Sequence, residues 1–144
     1  MENIKAKFQL LDNFVKDYSV NLNRKIDEKS KLEVKFSLGF GMQDIRESEN
    51  KFIGQIKMIY DISLLVKDEK IGKIHLEEEG LFDGNKELGK EKFEEMLKYN
   101  GASTLSQIAR AYIISNTALS GMPTIKLPLV NFVEFFNNAT TKLT

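Results

Sequence analysis

The sequence predicts an α+β fold, in which a four-stranded antiparallel sheet has C-terminal helices packed on it. Two patterns predict this class. In the first half of the chain apolar and polar residues alternate, which is typical of strands with one covered face. In the last third apolar residues recur at three- and four-residue steps, which is typical of helices. The 144 residues have the length of one domain, residues 1–144, and can form a core without disulfides.

The first two strands are predicted by a period of two. In the first strand, Phe8 to Leu22, the even positions form the covered face. The members of this face are Phe8, Leu10, Asp12, Phe14, Lys16, Tyr18, Val20 and Leu22. A charged connection, Arg24 to Lys31, leads to the second strand, Leu32 to Met42, whose alternation is nearly ideal. The members of its apolar face are Leu32, Val34, Phe36, Leu38, Phe40 and Met42.

Two further strands follow a polar loop, residues 44–51, which we interpret as a surface turn. The third strand runs from Phe52 to Val66. A tight polar reversal then leads to a fourth strand, Ile71 to Leu76, and predicts antiparallel pairing of the two. Residues 77–85 begin with three glutamates, and we interpret them as the frayed, solvated end of this strand and a bend.

The last third of the chain predicts helices. A short helix is expected at about Lys90 to Lys98, and a longer one from Leu105 to Leu119 is apolar on more than one side. Gly121 follows the longer helix, where a left-handed cap favours glycine, and Pro123 prevents the helix from resuming. A second apolar run, residues 130–136, predicts a last helix.

The C-terminal part of the chain resembles the signature of SecB, the bacterial export chaperone family. In that family a helix with an arginine precedes a Gly-x-Pro turn, an apolar stretch ending in proline, and an Asn-Phe pair that opens the last helix. The matching residues are Gly101, Arg110, Gly121, Pro123, Leu127, Pro128, Asn131 and Phe132. The chain departs from the pattern at Leu105-Ser106, where the family has Phe-Pro, and at Leu129, where it has a second proline. The resemblance identifies a divergent member.

The resemblance implies an ATP-independent holdase that binds unfolded polypeptides in apolar grooves between the sheet and the last helix. By position, the residues that would line such a groove are Phe36, Phe40, Met42, Met58, Tyr60, Leu127, Leu129, Phe132 and Phe136. Each of these positions also fits an ordinary hydrophobic core.

The family also implies a homotetramer, a dimer of dimers with the long helices at the interface. The residues expected at such an interface are Leu105, Ile108, Tyr112 and Leu119. A helix that is apolar on more than one side needs more partners than one small sheet supplies. The alternative is that this helix lies deep in a monomeric core.

The partners implied are unfolded preproteins or, for divergent members, an antitoxin of a toxin–antitoxin pair. SecA is a further possible partner, because Lys16-Asp17-x-Ser19 resembles a motif in the family's first strand and makes Asp17 a candidate contact. An acidic residue expected shortly after Ser19 is replaced by Asn21. The balanced charge, 21 basic against 21 acidic residues, also differs from the acidic sheet of members that bind SecA.

Composition argues against several other functions. The balanced charge gives no field that would favour nucleic acid or an anionic membrane. Without cysteine or an N-terminal signal segment, we expect a cytoplasmic protein that does not insert into membranes. The single histidine, His75, lies within a predicted strand, and Glu77–Glu79 alternate between strand faces. We therefore expect no enzyme, no metal site and no cofactor.

One pair of glycines and one alternative function complete the expectations. Gly39 and Gly41 flank Phe40 in a strand pattern without a following Gly-x-x-Gly, so they predict a bare patch of sheet rather than a dinucleotide site.

A non-catalytic protein that encloses a small apolar ligand, or serves a structural role, would fit the same fold class.

Overall fold

The α+β architecture is confirmed in the computed structural model, which describes residues 7–27 and 29–138. The strands are β1 (Phe8–Leu22), β2 (Leu32–Met42), β3 (Arg46–Glu47), β4 (Lys51–Val66) and β5 (Glu69–Asn85). The helices are α1 (Lys90–Met96), α2 (Ala102–Leu119) and α3 (Phe132–Asn138). Long strands therefore make up the first half of the chain, and helices the second.

The sheet has the order β1-β5-β4-β2, and all its neighbours are antiparallel. The predicted pairing of the third and fourth long strands is confirmed, because β4 and β5 form a hairpin. Its two turn residues, Lys67 and Asp68, both have positive φ, 52° and 65°, as the favoured two-residue turn requires. The strands β1 and β2 lie at the two edges. The predicted loop before β4 contains the two-residue strand β3, which pairs with Phe52 and Ile53 beyond the end of β2.

The helices cover one face of the sheet, which we call the helix face. It carries the even-numbered residues of β2 and β4 and, from Gly72 onward, those of β5, because antiparallel partners project to the same side. On β4 these even-numbered side chains are at most 8% exposed, from Phe52 to Val66. The predicted parity of β2 and β4 is thus confirmed. The opposite side, with the odd-numbered residues, is called the outer face.

The single parity predicted for β1 is wrong. Two register shifts against β5, after Leu10 and after Val15, each insert an extra residue and move the following side chains to the other face. Phe14 consequently pairs with Glu79 on the outer face and is 50% exposed, while Val15 packs against the core. After the second shift the predicted parity returns at Tyr18.

The fourth long strand is longer than predicted. Residues 77–85 are not a bend, because they continue β5 and pair with both β1 and β4. The alternation of apolar and polar residues that predicts a strand is interrupted here, because glycines occupy positions on the helix face. A Cβ on Gly80 would come within 2.8 Å of Leu105, and one on Gly84 would collide with Phe93. The helices supply the apolar groups that these strand positions lack.

The two predicted helices before Gly121 are joined rather than separate. A wide π-type turn at Leu97–Gly101 leads directly from α1 into α2. Gly121 has φ 74°, so the predicted left-handed cap is confirmed. The last helix begins as the Asn-Phe pair predicts, because Asn131 Oδ1 accepts a hydrogen bond from the Glu134 backbone N–H at 3.1 Å.

The segment between α2 and α3, residues 122–131, is called the crossover. It runs back along α2 and is fixed there by two hydrogen bonds. Arg110 Nε donates to the Leu127 carbonyl oxygen at 2.9 Å, and the Ile125 backbone N–H donates to Thr117 Oγ1 at 3.1 Å. The arginine of the signature thus positions the chain that leads to α3.

Candidate functional site

A strip of partly exposed apolar side chains follows the edge strand β2 on the helix face. Val34, Phe36 and Leu38 are each half-buried, although the matching residues of β4 beside them are fully buried. We call these three residues the β2 strip. Its incomplete cover distinguishes it from the buried β4 residues of the helix face and leaves a row of apolar side chains partly accessible at this edge of the sheet.

One end of the β2 strip is closed by α3 through an aromatic cluster. The Phe136 ring lies edge-on to Phe40, with 4.8 Å between ring centroids, and edge-on to Tyr99 at 5.4 Å. The Lys98 ammonium group lies 4.8 Å from the Phe136 centroid, within cation–π range. Phe132 is buried beside Phe136. These contacts hold a seven-residue helix that could not persist alone.

Truncating Phe132 to alanine is expected to lower the free energy of unfolding by about 3 kcal/mol, because it leaves a cavity beneath α3. Phe132 is 8% exposed, whereas Val133 on the same helix is 58% exposed. Urea titration of Phe132→Ala and Val133→Ala checks the expectation. Equal midpoints for the two variants would contradict the docking of α3.

Three large apolar side chains, on β2, the crossover and α3, are open to solvent. Leu129 on the crossover is 70% exposed, Val133 on α3 is 58% exposed, and Met42 at the end of β2 is 37% exposed. Val130 and Phe135 are half-buried at the core's margin. Together with the β2 strip they can bind apolar side chains of another chain.

The structure divides the predicted groove residues into two groups. Those accessible to another chain are Phe36, Met42 and Leu129. Those at most 8% exposed in the protomer are Phe40, Met58, Tyr60, Leu127, Phe132 and Phe136. The second group belongs to the core of the protomer, where it packs beneath α3 or fixes α3 to the sheet, and a client cannot contact it. Val34 and Leu38 were not among the predicted residues, although the parity they share with Phe36 is a signal that could have found them.

The predicted interface residues of α2 also differ in exposure. Leu105 is fully buried in its own protomer, against Gly80, and cannot reach a second copy. Tyr112 is half-buried, edge-on to Tyr18 with 5.0 Å between centroids, and Ile108 is half-buried too. Leu119 is 86% exposed. One side of α2 therefore belongs to the protomer core, and the other side is open.

The outer face carries paired charges. His75 Nδ1 lies 2.7 Å from Asp61 Oδ1, and His75 Nε2 lies 3.6 Å from Asp17 Oδ2. The hydrogen bond to Asp61 is the largest cause of the raised pKa of His75, and nearby carboxylates add to it. Lys16 Nζ lies 3.5 Å from Glu79 Oε2. Asp17, the candidate SecA contact, is therefore exposed but already close to a basic group.

The interpretation of the three glutamates as a solvated strand end is wrong. Glu77 and Glu79 lie on the outer face, but Glu78 projects to the helix face and is 1% exposed. Its burial raises its pKa to about 8. Burial and the nearby Glu78 also raise the pKa of Tyr60, and Ser106 lies beside the Tyr60 hydroxyl. Among the described residues, Glu78 Oε1 and the Tyr60 hydroxyl have no hydrogen-bond partner.

Residues 7–27 and 29–138 contain neither a candidate metal site nor a membrane-spanning helix. No group of three or more histidine, cysteine or acidic side chains in these ranges could hold a metal ion. None of the helices there has both the length and the apolar character to cross a membrane.

Two solved structures match this chain. The SecB-like chaperone Rv1957 of Mycobacterium tuberculosis, in complex with a ChAD peptide from the Rv1956 HigA1 antitoxin, matches with a TM-score of 0.62 and 14% identity, over 87% of this chain and 91% of that chain. A protein of unknown function from Streptococcus agalactiae matches with a TM-score of 0.47 and 12% identity, over 86% and 98% of the two chains. No protein-family model and no curated protein matches this chain. The fold that the C-terminal signature predicts is confirmed: this chain has the fold of a SecB-like chaperone.

Proposed function

We propose that this protein is an ATP-independent holdase that binds non-native polypeptides along β2. The observation that carries the proposal is the β2 strip, a row of half-buried apolar side chains on an edge strand of a SecB-like fold. An unfolded chain offers apolar side chains and unpaired backbone groups, and an edge strand beside an apolar strip can bind both. Binding of this kind needs no cofactor and no catalytic group.

Two client classes fit the proposal: unfolded preproteins, as for an export chaperone, or the antitoxin of a toxin–antitoxin pair, as for a chaperone dedicated to that pair. One structural observation favours the antitoxin. Rv1957, whose fold this chain shares, was solved with an antitoxin peptide, which supports an antitoxin as client. The export role would use unfolded preproteins as clients and SecA as partner, in the cytoplasm. The outer face is less suited to SecA, because Lys16 and His75 lie beside its carboxylates.

A light-scattering assay of aggregation tests the holdase proposal. A chemically unfolded protein is diluted into buffer with and without this chain, and we expect aggregation to be suppressed. Phe36→Ala should weaken the suppression, because Phe36 lies in the β2 strip. Phe14→Ala is the matched control, since Phe14 is half-exposed on the outer face.

The opposite results would remove the proposal. A chain that leaves the unfolded protein to aggregate, yet saturably binds one small apolar compound, would favour the ligand-binding alternative. Equal loss of suppression in Phe36→Ala and Phe14→Ala would exclude the β2 strip as the binding surface. Retention of full suppression in Phe36→Ala would do the same.

We also propose a homotetramer in which the open side of α2 lies between copies. Tyr112→Glu and Ala111→Glu should then each reduce the solution mass from four times 16.5 kDa, because a buried charge without a partner is strongly unfavourable. Ala111 is exposed, so its substitution leaves the protomer core intact. Light scattering on a sizing column gives the mass. A full tetramer for Ala111→Glu would exclude this side of α2 from the interface.

A further inference from the structure

The two edges of the sheet differ in how they are protected. An exposed edge strand can pair with another chain, and bulges or charges usually prevent this. β1 has two register shifts and carries Lys16 at the second of them. β2 pairs with β4 without a shift over its eleven residues, from Leu32 to Met42, and contains no proline. β2 is therefore a straight edge that is suited to accept another strand.

One hydrogen bond fixes which backbone groups of β2 point outward. The Gln43 backbone N–H donates to the Gln55 carbonyl oxygen at 3.0 Å, one register step beyond the end of β2. Hydrogen-bonded and non-hydrogen-bonded pairs alternate along an antiparallel ladder. The odd-numbered residues of β2 therefore bond to β4, and the even-numbered residues direct N–H and C=O groups to the free side. The same even-numbered residues form the β2 strip.

A cleft with a positive rim lies at the start of the strip. It has a volume of about 800 Å³ and includes the apolar side chains of Leu32 and Val66. Its basic members are Lys29, Lys31 and Lys67, and its acidic members are Glu33 and Asp68. Glu33 is already 3.6 Å from Lys35 Nζ. None of the three rim lysines makes an ion pair within the described part of the chain, so the cleft favours a negative group.

We propose that the free edge of β2 binds an extended client segment as an added strand, with alternate apolar side chains on the β2 strip and a carboxylate in the lysine cleft. This inference rests on the holdase proposal and specifies its client. Backbone hydrogen bonds to the even-numbered residues of β2 supply affinity without sequence preference, and the strip and the cleft supply selectivity. The preferred segment is therefore alternately apolar and acidic at one end.

Peptide binding measured by fluorescence anisotropy tests the predicted client. The probe is a labelled peptide of about nine residues, with two aspartates followed by alternating valine and serine. One control has lysines in place of the aspartates, and the other has the same composition with the valines in one block. We expect both controls to bind about tenfold or more weakly, because the first places like charges together and the second loses the period of two. Equal affinity for all three peptides would overturn the proposal.

Amide hydrogen exchange followed by NMR tests the added strand directly. In the free protein the amides of Val34, Phe36 and Leu38 should exchange fast, while those of Lys35 and Ser37 are protected by β4. The acidic peptide should slow exchange at the even positions alone. Bound peptide without this change would overturn strand addition but leave the holdase proposal standing. Even positions that are protected before any peptide is added would show that a second copy covers the edge.

Two sets of variants separate the backbone and charge contributions. Leu38→Pro removes an outward N–H, whereas Leu38→Ala removes only the side chain, so the proline variant should bind the peptide more weakly. The combined change Lys31→Glu and Lys67→Glu should reverse the preference for acidic over basic ends, and Lys73→Glu on the outer face should not. If Leu38→Pro does not fold, the lysine variants alone test the proposal, through the preference for an acidic peptide end. An unchanged charge preference would exclude the cleft.

Discussion

The free energy of unfolding is expected to fall by about 4 kcal/mol as the pH rises from 4.5 to 8, because Glu78 is buried on the helix face. The pKa of this carboxyl is about 8 in the folded protein and 4.5 when solvated. Between these values the folded state keeps the proton and the unfolded state loses it. Unfolding therefore releases a proton, and a higher pH favours unfolding.

The surroundings of Glu78 explain why its charged form is unfavourable. Glu78 pairs with Val15 of β1 on one side and with Met58 of β4 on the other. The Tyr60 hydroxyl lies near Glu78 and is not cationic, and Glu78 Oε1 has no hydrogen-bond partner among the described residues. A carboxylate here would lose its hydration without gaining an ion pair.

Urea unfolding at pH 5, 6.5 and 8, at one protein concentration, measures the effect. Glu78→Gln keeps the shape of the side chain but cannot ionise, so its stability should be nearly independent of pH across this window. His75 contributes in the same direction at higher pH, because its raised pKa gives stability that is present below 6.5 and lost as the pH passes the folded value. His75→Gln should therefore retain the steep fall between pH 4.5 and 6.5. A fall of unchanged size in Glu78→Gln would exclude Glu78 as its cause.

The strands that could be predicted are those in which large apolar residues occupy nearly every position of the buried face. β2 and β4 alternate large apolar and polar residues, so the register and the buried face of both follow from a period of two. The end of β5 could not be predicted this way. There Gly80 and Gly84 occupy helix-face positions, and the apolar groups that fill the space belong to Leu105 and Phe93, far along the chain.

Bulges and exposure are set by tertiary contacts that the sequence pattern does not contain. The two shifts in β1 reverse the faces of Phe14 and Val15, and the local sequence marks them only by two charged residues, Asp12 and Lys16, on the predicted covered face. In the candidate site, parity placed Phe36 and Tyr60 on the same face. Only the packed structure shows that Phe36, on the edge strand, stays partly accessible while Tyr60, one strand further in, is fully buried.

Phe93→Ala is expected to lower the free energy of unfolding by about 4 to 5 kcal/mol, the largest loss from a single truncation in this core. Phe93 is 0% exposed and lies between the rings of Phe8 and Phe52, with centroids 5.7 Å and 5.5 Å away. The sheet beneath it is bare at Gly54 and Gly84. Glycines have no side chain that could move into the cavity, so the site cannot collapse to fill it.

The pairing of Phe93 with Gly84 can be tested by a double-mutant cycle in urea. Gly84→Ala alone should destabilise the protein, because its Cβ would collide with the Phe93 ring. In the Phe93→Ala background the same methyl enters the cavity and limits the freedom of the unfolded chain, so Gly84→Ala should there be neutral or stabilising. Strict additivity of the two changes would mean that α1 does not pack its phenylalanine onto the bare part of β5. The reversal in sign would show that the Phe93 ring fills the space above Gly84 that a side chain of β5 would otherwise occupy.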